Sequence, residues 1–302
     1  MTKPTLDVAI AILLHHGKVL VGWRQAGQHQ GNKHEFPGGK VELGESPEQA
    51  CRREIYEEVG IGLKDWHVFD VISHEYDDLM VNLHVFSAYV PSELLELIQP
   101  PWAWYSRDQL AQLNFPKANA VILARLIWSH LIKISEQLTD LPQLDDLLYW
   151  RMDAPQISVI EQQLQGLNTE QVQQVILNIH VWQQLSPTLQ SKIHTLHLKQ
   201  SQLMQLKKGD LPVSKRVIAA CHDAVSLQQA HVIGCDAVLL SPVQPTTTHP
   251  SARILGWQGF ADLARHSQLP VFALGGVAPA DVEQAQKHHA YGLAGIAQFK
   301  HI

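Results

Sequence analysis

The chain has 302 residues, of which 45% are apolar and 17% charged, and a formal net charge of −6. That length suits two domains of ordinary size, and the composition supplies packed cores while excluding a disordered chain. The acidic balance excludes a nonspecific nucleic-acid binder, which needs a basic surface, but leaves phosphorylated small molecules open because metal ions can supply positive charge.

Cys51, Cys221 and Cys235 lie far apart, and no CxxC occurs. This fits a reducing compartment better than a disulfide framework or a zinc site. The apolar run Val8–Leu14 is broken by His15, His16 and Lys18 and is too short to span a membrane. The expectation is a cytoplasmic protein that binds neither membrane nor nucleic acid stably. Residues 7–14 and 18–23 read as two strands joined by a turn at His16-Gly17, and "WHVFDVISHEY" with "VNLHVFSAYV" reads as a hairpin bent at Asp77-Asp78. "ANAVILARLIWSHLIKI" reads as one apolar helix. Mixed strands and helices without strict alternation point to an α+β first half.

Between these elements lies "GGKVELGESPEQACRREIYEEVGI", residues 38–61. Ser46 and Gln49 have the spacing of a capping box, Pro47 suits the first helical position, and Gly60 suits a helix stop after Val59. Glu54, Glu57 and Glu58 then stand at i, i+3 and i+4 on one side, with Ala50 and Ile55 on the buried side. Like charges at that spacing repel, so something positive must offset them. One reading is a solvated acidic face paired to Arg52 and Arg53. The other joins the carboxylates to a backbone carbonyl of the Gly38-Gly39 loop. Such an all-oxygen set selects Mg²⁺ or Mn²⁺, which polarises a phosphoryl group and acidifies a bound water.

Gly39, five residues, Glu45, seven residues and then "REIYEEVGI" fill every position of the Nudix box. The longer stretch "GNKHEFPGGKVELGESPEQACRREIYEEVGI" resembles the MutT type of Nudix hydrolase, the 8-oxo-dGTP diphosphatases. The resemblance implies an α-β-α sandwich, two or three divalent ions and a nucleoside triphosphate substrate. Water would attack the β-phosphorus and release the nucleoside monophosphate and pyrophosphate. It also implies that Gly38 gives a carbonyl to metal, that Glu54, Glu57 and Glu58 are ligands, and that Glu54 orients or deprotonates water. Arg53 and Glu45 would brace loop and helix, Lys40 would meet the phosphates, and Arg24 and Glu35 would contact substrate.

"FPKANAVI" is similar to the family's purine-reading segment and places Asn119 at its Asn. An amide can accept the N7 proton that 8-oxoguanine has and guanine lacks. Asn119 can equally cap the helix that follows it. Tyr76 and Leu83 are candidates to line the base pocket. Glu96 is matched to a late-loop metal ligand only after a shift of a residue or two, and it can equally be an exposed loop acid. Trp23, Trp102 and Trp104 can stack on a base or simply pack at the core and rim. The 18 histidines show no metal-site spacing.

Residues 136–147 are polar and read as a linker, between a first domain at 1–135 and a second at 148–302. The second contains short apolar runs alternating with helical pieces, the pattern of a parallel sheet or barrel. "SPVQPTTTHP", "ALGGV" and "GLAGIA" resemble the phosphate-side loops of thiamine phosphate synthase, a TIM barrel. The similarity implies candidate phosphate contacts at Thr246, Thr247, Gly275 and Gly276, which turn and packing roles also explain. Six clear strands and one doubtful one, "QISVIEQ", predict an incomplete α/β TIM-barrel-like domain. The family's Asn-Asp pair reads Asn178-Ile179 here, and an acid is missing from "HLKQSQL". A magnesium site without carboxylates is implausible, so a degenerate synthase is expected. Three readings of the whole follow: hydrolysis of 8-oxo-dGTP, hydrolysis of a thiamine- or pyrimidine-type diphosphate, and a sensor or partner-binding role for the second half.

Overall fold

Strand β1 (Thr5–His15) and strand β2 (Lys18–Arg24) pair antiparallel through His16 and Gly17, whose φ angles are 43° and 77°. Two successive left-handed residues match the twist of the flanking strands. In the computed structural model the described residues are 3–27, 31–142, 146–246 and 253–299. The chain divides into two units, Met1–Trp128 and Ser129–Ile302.

In the first unit, β3 (Lys33–Glu35), β4 (Gly38–Lys40), β5 (His67–Glu75), β6 (Met80–Tyr89) and β7 (Ala103–Tyr105) join the hairpin in one sheet. The order is β3-β2-β1-β6-β5, with β4 on β1 and β7 on β2. Strand β1 runs parallel to β6 over ten paired residues, Thr5 to Leu14. Because side chains alternate along β1, it feeds two cores. Ala9, Ala11 and Leu13 face helix α1 (Pro47–Val59) through Ala50, Cys51, Ile55 and Val59. Ile10, Ile12 and Leu14 share the opposite core with Ile122 and Leu126 of the later helix Ala120–Leu126. The result is an α-β-α sandwich. Ile55 is 1% exposed, and burying such a side chain contributes about 1.5–3 kcal/mol, which offsets the repulsion on the acidic face.

The second unit is a closed barrel of eight parallel strands. They are β8 (Leu131–Ser135), β9 (Leu147–Trp150), β10 (Val175–Asn178), β11 (Thr195–Leu198), β12 (Arg216–Cys221), β13 (Ala237–Leu240), β14 (Val271–Leu274) and β15 (Gly292–Gly295). Closure is made by β15 against β8. The expected incompleteness is therefore corrected. The six clear strands are present, "QISVIEQ" lies in helix Ile157–Gln165, and β8 and β9 complete the ring. "LIKIS" had merged with the apolar run before it, because a short buried strand and a buried helix look alike in periodicity. The preceding helix stops at Leu126. The division thus falls after Trp128, ahead of the expected linker at 136–147. No described helix is long and apolar enough to cross a membrane.

Candidate active site

Helix α1 begins and ends where its caps dictate. Ser46 accepts from Gln49 N at 3.3 Å, Gln49 Oε1 accepts from Ser46 N at 2.7 Å, Pro47 opens the helix, and Gly60 closes it at φ 78°. These ends set the rotation of the helix about its axis and so the side on which its acids emerge.

Arg53 is the hub of that side. Its guanidinium reaches Glu45 at 2.7 Å, Glu54 at 2.8 Å and Glu57 at 3.3 Å, and donates to the Lys40 carbonyl at 3.1 Å. Glu45 also accepts from Glu42 N at 2.8 Å, and its carboxyl is held below the usual range by Arg53 and by that backbone donor. Helix and loop are thus tied by one planar cation whose fork suits several carboxylates. Part of the positive charge the acids need comes from within the helix itself.

Glu58 takes a different partner. Its Oε2 accepts from Gly38 N at 3.0 Å. Although Glu58 lies partly at the surface, withdrawal of its carboxyl from water, aided by Glu54 and Glu35, raises its pKa to about 7, against the pull of the Gly38 N–H and Arg24. Glu35 is itself paired with Arg24 Nε at 2.6 Å. The structure therefore gathers Arg24, Glu35, Gly38, Glu45, Arg53, Glu54, Glu57 and Glu58 around the short strands β3 and β4 and the exposed flank of α1. Lys40 is exposed at the end of β4.

The two glycines of β4 do different things. A Cβ on Gly39 would lie 2.2 Å from Glu54 Oε1, so the bare Cα lets that carboxylate rest against the strand. A Cβ on Gly38 would lie 2.1 Å from the Ala9 carbonyl oxygen, and Gly38 has φ 146°. Gly39→Ala is expected to displace a flexible carboxylate and lower activity with little loss of thermal stability. Gly38→Ala is expected to cost at least about 2 kcal/mol, because backbone must move and the φ is unfavourable. Thermal melts and turnover of both variants check this contrast.

On the other face of the sheet, Phe36, Leu83, Ala118 and Ile122 share a buried cluster, and Tyr76 packs against it. Asn119 is 6% exposed. It occupies the N-cap position of its helix at φ −84°, ψ −3°, but its side chain caps no helix N–H. Among the described residues its amide has no hydrogen-bond partner, so helix capping does not account for it. His34, which the sequence reading passed over, sits in an aromatic wall with rings of Trp23, Tyr105 and Phe115 at 4.9, 6.1 and 6.0 Å. Its Nδ1 accepts from Asn114 N, and burial lowers its pKa. The signal was its place in "KHEFPGG".

Glu96 makes no side-chain hydrogen bond or ion pair to the acids of α1 among the described residues. It lies exposed on the 3-10 turn Ser92–Leu97, and the contact it makes is through its carbonyl, to Gln99 Nε2 at 2.9 Å. Trp102 neither stacks in the aromatic wall nor merely fills the core, since its Nε1 donates to the Glu58 carbonyl at 2.9 Å.

In the barrel, Gly275 and Gly276 have φ 97° and 68°, and a Cβ on them would lie 2.8 Å from Pro242 and 2.6 Å from the Pro245 carbonyl. Packing alone requires both. Thr246 is described, while Thr247 lies outside the described residues. Asn178 and Gln202 exchange two amide hydrogen bonds, at 2.9 and 3.0 Å. Gln202 of "HLKQSQL" is thus locked to Asn178 as a neutral pair. His197, 4% exposed, stacks on Tyr149 at 4.1 Å.

These geometries agree with comparisons to known proteins. The NUDIX domain model matches residues 8–125, and the 8-oxo-dGTP diphosphatase of Escherichia coli (strain K12) is 35% identical over 130 residues, covering 40% of this chain and 95% of that protein. The chain belongs to the Nudix family. A second relative of this Nudix protein, the 8-oxo-dGTP diphosphatase of Haemophilus influenzae, is 33% identical over 135 residues, covering 42% of the chain and 95% of the relative. Residues 152–299 match the thiamine monophosphate synthase family model, so the Nudix hydrolase domain is fused to a synthase-type barrel.

Whether the Nudix site suits a divalent ion is decided by its donors. Among the described residues no three His, Cys, Asp or Glu converge as a ready-made cage. The donors at hand are nonetheless all oxygens: Glu54, Glu57 and Glu58 beside the Gly38 backbone, with no histidine or cysteine among them. That set fits a hard cation such as Mg²⁺ or Mn²⁺. Arg53 holds Glu54 and Glu57 by single contacts at the helix surface, which rotamer changes can release.

Proposed function

We propose that the Nudix domain hydrolyses oxidised purine nucleoside triphosphates, 8-oxo-dGTP to 8-oxo-dGMP and pyrophosphate, with Mg²⁺ or Mn²⁺ held by Glu54, Glu57, Glu58 and the Gly38 carbonyl. The observation that carries the reading is Asn119, a buried amide without a protein partner among the described residues. A purine edge offering matched donors and acceptors can pair with that amide on binding. The relatives named 8-oxo-dGTP diphosphatase support the same substrate.

The bound cation would lower the pKa of a water and neutralise phosphate charge. The chain's own residues supply the rest. Glu54, resting against Gly39, orients the attacking water and takes its proton. Arg24 and Lys40 hold the triphosphate, with Glu35 fixing the Arg24 guanidinium. Arg53 and Glu45 keep loop and helix in register. Water adds at the β-phosphorus, the bond from that phosphorus to the oxygen bridging it to the α-phosphorus breaks, and the nucleoside monophosphate leaves with that oxygen while the β- and γ-phosphoryl groups become pyrophosphate. Tyr76 and Leu83 border the base beside Asn119.

A second reading, hydrolysis of a thiamine-type diphosphate, is favoured by the synthase-type barrel in the same chain. Steady-state phosphate and pyrophosphate release with Mg²⁺ separates the two. A kcat/KM for 8-oxo-dGTP at least about 10²-fold above that for dGTP and thiamine diphosphate is expected. A preference for thiamine diphosphate would replace the first reading with the second.

A further inference from the structure

Helix α1 ends with carbonyls that have no intrahelical donor, those of Tyr56 to Val59. The Glu58 carbonyl finds one in Trp102 Nε1, 2.9 Å away and 44 residues later in the chain. The indole is itself fixed from the other side. A Cβ on Gly22 of β2 would lie 2.6 Å from its Cζ3 and 2.7 Å from its Cε3, so the six-membered ring lies flush on a strand that has been cleared for it. Gly22 is the register partner of Glu35, and the latter holds Arg24. The indole therefore connects the strand carrying Arg24 to the last turn of α1, which carries Glu57 and Glu58. Partly buried Trp102 also packs in the core shared by Ile55 and Val59.

We propose that Trp102 is a positioning residue for the acidic face. Through the Glu58 carbonyl it sets where the last turn of α1 stands, so that the Glu58 carboxylate meets Gly38 while Glu57 emerges on the same flank. Without the N–H, the turn loses the hydrogen bond that ties it to the ring lying on β2. Gly60 permits the helix end to fray at that point. The proposal rests on α1 being the cation-holding helix. Outer partners that orient ligands without touching the ion commonly govern affinity by 10–100-fold.

The test is Mn²⁺ binding to the full chain without nucleotide, by calorimetry or by the spin-resonance signal of free ion. Trp102→Phe keeps an aromatic ring and removes the N–H. Gly22→Ala keeps the indole but pushes it off the strand. Each is expected to weaken Mn²⁺ binding by roughly tenfold, at a temperature where circular dichroism shows it folded. If Trp102→Phe does not fold, Gly22→Ala carries the test. Glu58→Gln serves as the reference. If it weakens Mn²⁺ binding while the folded positioning variants bind as tightly as the parent, the role of Trp102 is refuted and the helix reading stands. If Glu58→Gln also leaves binding unchanged, the helix reading falls, and the proposal with it.

Discussion

Glu54→Gln is expected to lower turnover of the preferred nucleotide by about 10³-fold or more, and Glu57→Gln by a similar factor. A positioned general base is worth about 10²–10⁴-fold, and each amide also removes one anion from a site that must hold a divalent ion. Stability should barely follow. Arg53, deprived of Glu54, keeps Glu45 at 2.7 Å and Glu57 at 3.3 Å. Loss of the Glu54 charge also relieves Glu58, whose carboxyl it helps push up to about 7. Three acids at i, i+3 and i+4 disfavour the helix, so neutralising one should leave the melting midpoint unchanged or raise it. An inactive but equally stable protein is the pattern of residues kept for function. Steady-state rates with Mg²⁺ and thermal melts of the same samples decide it. Activity within tenfold of the parent for either variant would sink the acidic-helix mechanism.

Asn119→Ala is expected to reduce kcat/KM for 8-oxo-dGTP by roughly 10²-fold and that for dGTP only a few-fold. A site built around a hydrogen bond discriminates most strongly against ligands that lack it. If guanine offers no N7 proton to the amide, it has less to lose when the amide is removed. The stability readout separates this role from capping. Truncating an N-cap Asn costs about 1 kcal/mol. Asn119 caps no helix N–H, so removing its amide breaks no cap bond and should leave the midpoint unchanged. Equal losses on the two nucleotides would end the purine-reading role, whatever the melts show.

Helix α1 was legible residue by residue. Ser46, Gln49, Pro47 and Gly60 mark its ends, and the spacing of Glu54, Glu57 and Glu58 marks its charged side. All of these are interactions between residues within a turn or so of each other. Glu96 shows the reverse. A shifted alignment matches it to a late-loop metal ligand, and its 3-10 turn leaves it exposed. Nothing local could have said so, since its position depends on how Leu94, Leu95 and Ile98 pack under α1. Trp102 was visible as a tryptophan but not as a brace, because its partners Gly22 and Glu58 lie 80 and 44 residues before it.

The barrel divides the same way. Strands β10 to β15 announced themselves as apolar runs between helices, whereas β8 was hidden in the run after Arg125 and β9 beyond a polar stretch. Closure is a property of eight strands returning to one another, and the pairing of Leu293 with Leu131 spans almost the whole second unit. By itself, then, the sequence determined the caps, the acidic face and the Nudix spacing, because helix periodicity and capping are settled by neighbours in the chain. The tertiary structure alone decided that Arg53 also reaches the Lys40 carbonyl of β4 and that Glu35 holds Arg24. It also decided that Asn119 is buried without a cap bond and that the barrel closes. Each of these depends on distant segments meeting, and no local periodicity encodes which of them will.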